Sequence, residues 1–84
     1  MAAAMHEPDP VLNAKMQLVD AVCAKLEDVN TFKSIGLIAG FSRGYISKHM
    51  QQHFTDQDWF RIGDDYRIPR ATAERFIREY LYRL

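Results

Sequence analysis

One cysteine, three prolines, four glycines and one tryptophan leave this 84-residue chain few of the devices by which small proteins are held together. Cys23 has no second thiol to pair with, so no internal disulfide is available. It falls on the apolar face of a predicted helix, with no ligand cluster around it. It reads as a small core residue in a reducing compartment. Net charge is missing too: eleven Lys and Arg balance eleven Asp and Glu, so global charge points to no polyanionic partner. No apolar run approaches the roughly 20 residues of a membrane span, and no signal-peptide pattern opens the sequence. The expected location is the cytoplasm, with no membrane association. Enzyme motifs are also lacking. There is no Gly-rich phosphate loop, no nucleophile motif and no pair of carboxylates on one structured face. Asp64-Asp65 reads as turn chemistry. A chain this short also has little room for a pocket. No enzymatic activity, cofactor or small-molecule ligand is expected.

What is present suffices for one domain. Hydrophobic residues make up 48% of the chain, which argues against wholesale disorder. A core this small often leans on a partner or a second copy. The charges are unevenly spread. Residues 1–31 carry five acids against two lysines, whereas residues 32–55 carry Lys33, Arg43 and Lys48 and no acid. Residues 56–84 carry six arginines and six acids. The basic middle is a local footprint of the kind that anionic partners select.

The stretch FKSIGLIAGFSRGYISKHMQQ, residues 32–52, organises the rest. It reads as two short helices joined by a tight turn. Thr31 can cap the first, and Gly40 can end it in the left-handed conformation that only glycine adopts without steric cost. Ser42 can cap the second. Gly36 falls where two backbones must approach closely. Ile46 and Met50 lie one turn apart and face the core. Arg43, Tyr45, Ser47, Lys48 and Gln51 then face outward, and Gly44 lets another surface come close. This spacing resembles the DNA-binding helix-turn-helix, whose second helix lies in the major groove.

The flanking segments supply support. Residues 1–9 hold one proline and no periodicity and read as a loose tail, and Asp9-Pro10 reads as the start of a helix, with Pro tolerated in the first turn and Asp favourable at the positive end of the dipole. Leu12, Met16, Val19, Val22, Cys23, Leu26 and Val29 recur at helical spacing and predict one amphipathic helix over residues 10–29. Its apolar stripe fits two roles: cover for its own core, or a homodimer interface. Residues 59–68 predict a β-hairpin turning at Gly63-Asp64-Asp65, with Phe60, Ile62, Tyr66 and Ile68 on the core face. If Ile62 faces Tyr66, Arg61 faces Arg67, and this like-charge pair calls for a phosphate or a neighbouring acid between them. Residues 69–84 predict a closing helix with its apolar stripe on Ala73, Phe76, Ile77, Tyr80, Leu81 and Leu84, and with Glu74–Arg78 and Glu79–Arg83 as i,i+4 pairs.

This order of parts, with GFSRGYISK, the hairpin ending YRIPR, and ATAERFIREYL, resembles the excisionase-like, MerR-related winged helix-turn-helix proteins over residues 31–81. The resemblance implies a mainly α fold with a small β-hairpin wing. It implies a double-stranded DNA-binding protein without catalysis: a transcriptional regulator or an excisionase-type architectural factor. Ser42, Arg43, Gly44, Ser47 and Lys48 match recognition-helix positions, and Arg61 and Arg67 match the wing. Two features differ from the family pattern. A long helix precedes the motif, and the wing tip carries Asp64 and Asp65 where basic residues are common. Contact to phosphate then falls to the strand arginines.

Base readout needs paired donors, which selects Arg43 and then Gln51. Ser42, Ser47 and Lys48 suit phosphate, and Tyr45 suits sugar or phosphate. For Arg61 and Arg67 a plain salt-bridged hairpin is the bland alternative. His49 and His53 have metal-ligand spacing, but no third ligand lies near, so no metal is expected. His49 is expected to be half-buried against Trp59. The competing reading is a non-enzymatic protein-protein interaction module using the N- and C-terminal helices.

Overall fold

The computed structural model describes residues 9–82, and the chain within them is mainly helical with one small three-stranded antiparallel sheet. Residues 1–8, most of the expected tail, lie outside the described residues, as do Arg83 and Leu84. The Glu79–Arg83 pair expected from the sequence therefore lies outside them too.

The first helix, α1, runs Pro10–Ala24. Asp9, the last residue of the expected tail, caps it, and Asp9-Pro10 opens the helix as the sequence suggests. Its carboxylate accepts from the backbone N–H groups of Val11 and Leu12 at 2.9 and 3.4 Å, and Pro10 follows at the first helical position, where no N–H is needed. The helix is shorter than its periodicity suggests, because Asn30 ends it from a distance. Asn30 is buried. Its side-chain oxygen accepts from the Glu27 N–H at 2.9 Å, and its amide donates to the Glu27 carbonyl at 2.8 Å and to the Ile68 carbonyl at 3.4 Å. Residues 25–28 become a loop, and Val29–Asn30 becomes a short strand, β1. Leu26 stays in the core from the loop, while Val29 is left exposed.

The two central helices match the local signals. The second helix, α2, spans Phe32–Ala39 and begins with a reciprocal cap: Ser34 N–H donates to Thr31 Oγ1 at 3.0 Å, and Thr31 N–H donates to Ser34 Oγ at 2.8 Å. It ends at Gly40, with φ +83. The Gly36 carbonyl accepts from Gly40 and Phe41 N–H at 2.8 and 2.9 Å. A Cβ on Gly36 would lie 2.5 Å from the Phe41 carbonyl oxygen, so the turn backbone occupies the space a side chain would need. The third helix, α3, spans Arg43–His53, and Ser42 Oγ accepts from Tyr45 N–H at 3.1 Å. Only Ile46 and Met50 of α3 are buried. Phe54, the residue just after α3, also enters the core.

The hairpin departs from expectation by one residue. Strand β2 is Phe60–Ile62 and strand β3 is Asp65–Pro69, with Ile62 opposite Asp65, Arg61 opposite Tyr66 and Phe60 opposite Arg67. The turn holds two residues, Gly63 (φ +64) and Asp64, so Asp65 enters the strand. A one-residue shift in register flips a strand's faces. Tyr66 and Ile68 do face inward, but Phe60 and Ile62 are exposed, and Trp59 takes the inner position instead. Arg61 and Arg67 do not oppose each other. Beta1 pairs with the far side of β3, giving the order β1-β3-β2. This third strand has no counterpart among the expectations.

The closing helix is also two pieces. Alpha-helix α4 spans Arg70–Phe76, and a π-helical turn covers Ile77–Leu81. The wider turn delivers Tyr82, whose hydroxyl donates to the Ala39 carbonyl at 3.0 Å. That carbonyl is one that the end of α2 leaves without a helical partner. Phe76 and Ile77 are fully buried beside Ile35, Ile46, Met50 and Ile68. Arg78 joins Glu74 at 3.1 Å and Asp20 at 2.9 Å, fastening α1 to the closing element. Arg70 bonds the Leu26 carbonyl and lies 3.9 Å from Asp28, so it clamps the loop that leaves α1. Cys23 is buried in this core, and burial pushes its thiol above the ordinary value, against the opposing charge of Arg78. The structure agrees with its reading as a core residue.

Candidate nucleic-acid interface

An open groove of about 790 Å³ runs between the hairpin and the first turns of α2 and α3. Its walls include Ser42, Arg43 and Ser47 from the second half of the helix pair, Thr31, Lys33 and Leu37 from the first half, and Asp64 to Arg67 from the hairpin. Four of the nine candidate residues, Ser42, Arg43, Ser47 and Arg67, therefore share one surface. Thr31 and Ser42 are both N-caps, so two helix N-termini border this groove. Each contributes the positive end of its dipole.

The remaining α3 candidates lie along the same outward surface rather than inside the groove. Gly44, Lys48 and Gln51 are exposed. Nothing lies within 4 Å of where a Gly44 Cβ would stand, so the backbone there is open to an approaching surface. Gln51 donates its side-chain amide to Ser47 Oγ at 2.8 Å, which orders both side chains across one turn. Tyr45 is stacked between Phe41 and His49, with ring centroids 4.9 and 4.4 Å away, and is 41% exposed. His49 is half-buried as expected, but its contact is Tyr45, not Trp59. His53 stacks on Tyr80 at 4.1 Å, so the two imidazoles engage different rings. Among the described residues no group of three or more His, Cys, Asp or Glu side chains converges as a metal site.

The two hairpin arginines part company. Arg67, half-buried, lines the groove, with the exposed Asp65 3.8 Å away as a long ion pair. Such pairs contribute little and exchange readily. Arg61 stands away from the groove beside Asp56, Trp59 and Phe60. Its guanidinium covers the Tyr66 ring at 5.3 Å from the centroid and bonds the Tyr66 hydroxyl at 3.4 Å. The register explains both positions: Arg61 is cross-strand from an aromatic ring rather than from another cation. Reading Arg61 and Arg67 as an opposed pair is overturned by that shift.

Lys33 and Thr31 were not among the candidate residues. The available signal was the acid-free composition of residues 32–55 joined to the Thr31 cap. A lysine at the second position of a capped helix lies beside that helix's positive end.

The chain matches no protein-family model, no curated protein sequence and no solved structure. Among the described residues no helix is long and apolar enough to cross a membrane.

Proposed function

We propose that the protein binds double-stranded DNA, with α2 and α3 as a helix-turn-helix and the β2–β3 hairpin as its wing. The observation that carries this reading is the outward face of α3. Apart from Ile46 and Met50 it buries nothing. Arg43 and Ser47, with the Ser42 cap, border a groove that Lys33, Arg67 and two helix N-termini also face. A DNA backbone strand is a row of phosphates, and capped helix N-termini with flanking cations are suited to it. The role is that of a transcriptional regulator or an excisionase-type architectural factor.

In this reading α3 enters the major groove. Arg43 makes a bidentate contact to guanine and Gln51 reads adenine. Gln51 keeps its side-chain carbonyl free while its amide bonds Ser47. Ser42, Ser47, Lys48, Tyr45 and Lys33 hold phosphates, and Gly44 admits the backbone. Arg67 reaches phosphate by leaving Asp65. Arg61, held on Tyr66, contributes from the flank of the hairpin. The acidic tip at Asp64 and Asp65 stays out of the minor groove.

The test is selection of bound fragments from mixed genomic DNA at two salt concentrations, followed by titration of the enriched site. Arg43→Ala should cost about 1–3 kcal/mol on that site and relax one base preference. Lys48→Ala should weaken all sequences alike and lower the salt slope by about one. Unselective retention, unchanged by either substitution, would overturn the proposal.

A further inference from the structure

At 3.6 residues per turn, α3 has two flanks between its buried face and its outward face. Arg43 and Ser47 lie on one flank, and both line the groove beside the hairpin. Tyr45 and His49 lie on the opposite flank, with Gly44, Lys48 and Gln51 between the two. A helix in the major groove has a phosphate strand on either side of it. The Arg43 flank is reinforced by Lys33 and Arg67, which line the same groove. The other flank has no such reinforcement from α2, whose one charged residue is Lys33. The basic group that α3 offers there is the half-buried His49 imidazole. His53, one turn on, stacks on Tyr80 of the closing element instead.

The surroundings of His49 accommodate a positive charge. Its ring lies against Tyr45, with centroids 4.4 Å apart and planes at 32°, and a charged imidazole gains from the face of such a ring. Tyr45 in turn stacks on Phe41, whose other aromatic neighbour is Tyr82. Neither α2 nor α3 carries an acid. On the closing element, Arg75 and Glu79 stand beside Tyr80 and pair with each other at 3.5 Å. Among the described residues no carboxylate stands at ion-pairing distance from either imidazole. A proton taken up by His49 is therefore not neutralised from within the protein.

We propose that His49 is a proton-dependent contact to DNA phosphate, on the backbone strand opposite the one the groove receives. The proposal rests on the DNA-binding reading. Neutral imidazole has one N–H to donate, whereas the protonated ring donates from both nitrogens and brings its charge to the phosphate. Acidification through the range in which imidazole gains its charge, between about pH 8 and pH 5, adds a cation to α3 beside Arg43 and Lys48. Linkage fixes the sign: a complex that favours the protonated ring takes up a proton as it forms, so affinity rises as pH falls.

Fluorescence anisotropy with the fragment enriched from mixed genomic DNA reads this contact, at fixed ionic strength from about pH 8 to about pH 5.5. Circular dichroism at each pH establishes that the chain is folded. Wild-type affinity should rise about fivefold on acidification. The slope of log affinity against log salt should steepen by about one, as an added phosphate contact requires. His49→Gln should remove both changes, and His53→Gln should keep both. His49→Lys carries its charge at every pH, so it should bind at the alkaline end as tightly as the wild type does at the acid end, with no further gain. That variant reads the same contact should glutamine unfold the chain. A wild type that binds the fragment equally across the range overturns the proposal and leaves the proposed function standing, and so does a folded His49→Gln that keeps the gain. A wild type that retains no DNA at either end removes the proposed function, and this contact with it.

Discussion

The α2–α3 unit and the β2–β3 hairpin meet at the same groove, yet their geometry is determined in different ways. In the helix pair each decisive contact spans five residues or fewer: Thr31 with Ser34, Gly36 with Gly40 and Phe41, Ser42 with Tyr45. In the hairpin the faces are decided by register, and register depends on whether the turn takes two residues or three. A local code places Ser42, Arg43 and Ser47 directly. A register code places Arg61 and Arg67 only after the turn is known, and one residue's difference moved Arg61 from a like-charge pair onto the Tyr66 ring.

The sharpest way to break the helix pair is at its closest approach. Gly36→Ala would put a methyl 2.5 Å from a backbone oxygen, which cannot swing aside as a side chain can. A loss of up to about 3 kcal/mol in chemical denaturation is expected. On the sheet side, Asn30→Ala removes three hydrogen bonds, one to the β3 carbonyl of Ile68. A loss of about 2 kcal/mol is expected, with hydrogen exchange quickening first at β1 while α2 and α3 keep most of their protection.

Tyr82→Phe tests the tie between the helix pair and the closing element. Loss of the hydroxyl bond to Ala39 should cost roughly 1 kcal/mol. It carries a pH signature. Burial raises the Tyr82 phenol above its ordinary value of 10.0, with the nearby Cys23 charge adding to the shift. The protonated form is thus the one the fold favours, so its contribution is complete below about pH 10 and is lost as pH rises through the folded value. Wild type and Tyr82→Phe should converge in stability at alkaline pH. Arg61→Ala is the smallest expected change, within about 0.5 kcal/mol, because its contacts are exposed. On the proposed DNA-binding reading, its effect on DNA affinity should also be smaller than that of Arg67→Ala, since Arg67 faces the groove.

The same contrast marks what could be read from the residues alone. Thr31, Gly40 and Ser42 each announce a helix boundary through chemistry confined to the next few positions, and the two central helices fall where those residues put them. Val29 continues a helical period, and its place in β1 comes from Asn30 meeting Ile68, which is 38 residues away. The π-helical turn likewise answers to Ala39, 43 residues from Tyr82. Within the site, Arg43 and Ser47 were legible as outward positions of a capped helix. Lys33 was visible as a charge but not as a groove residue, because its relation to Arg67 exists only once β3 lies beside the start of α2.

That last relation has a consequence for the order of folding. Beta1 joins Val29 to Pro69, and the chain enters α2 immediately after β1 and α4 immediately after β3. Both helices are therefore hung from one pairing that closes a long loop, and loop closure is a cost met before the contact returns anything. During synthesis the α2–α3 unit, complete in its own local signals by His53, must wait for residues 65–69 to emerge before its first turn is anchored. The segment most plainly written in the sequence is made before the strand pairing that holds it in place.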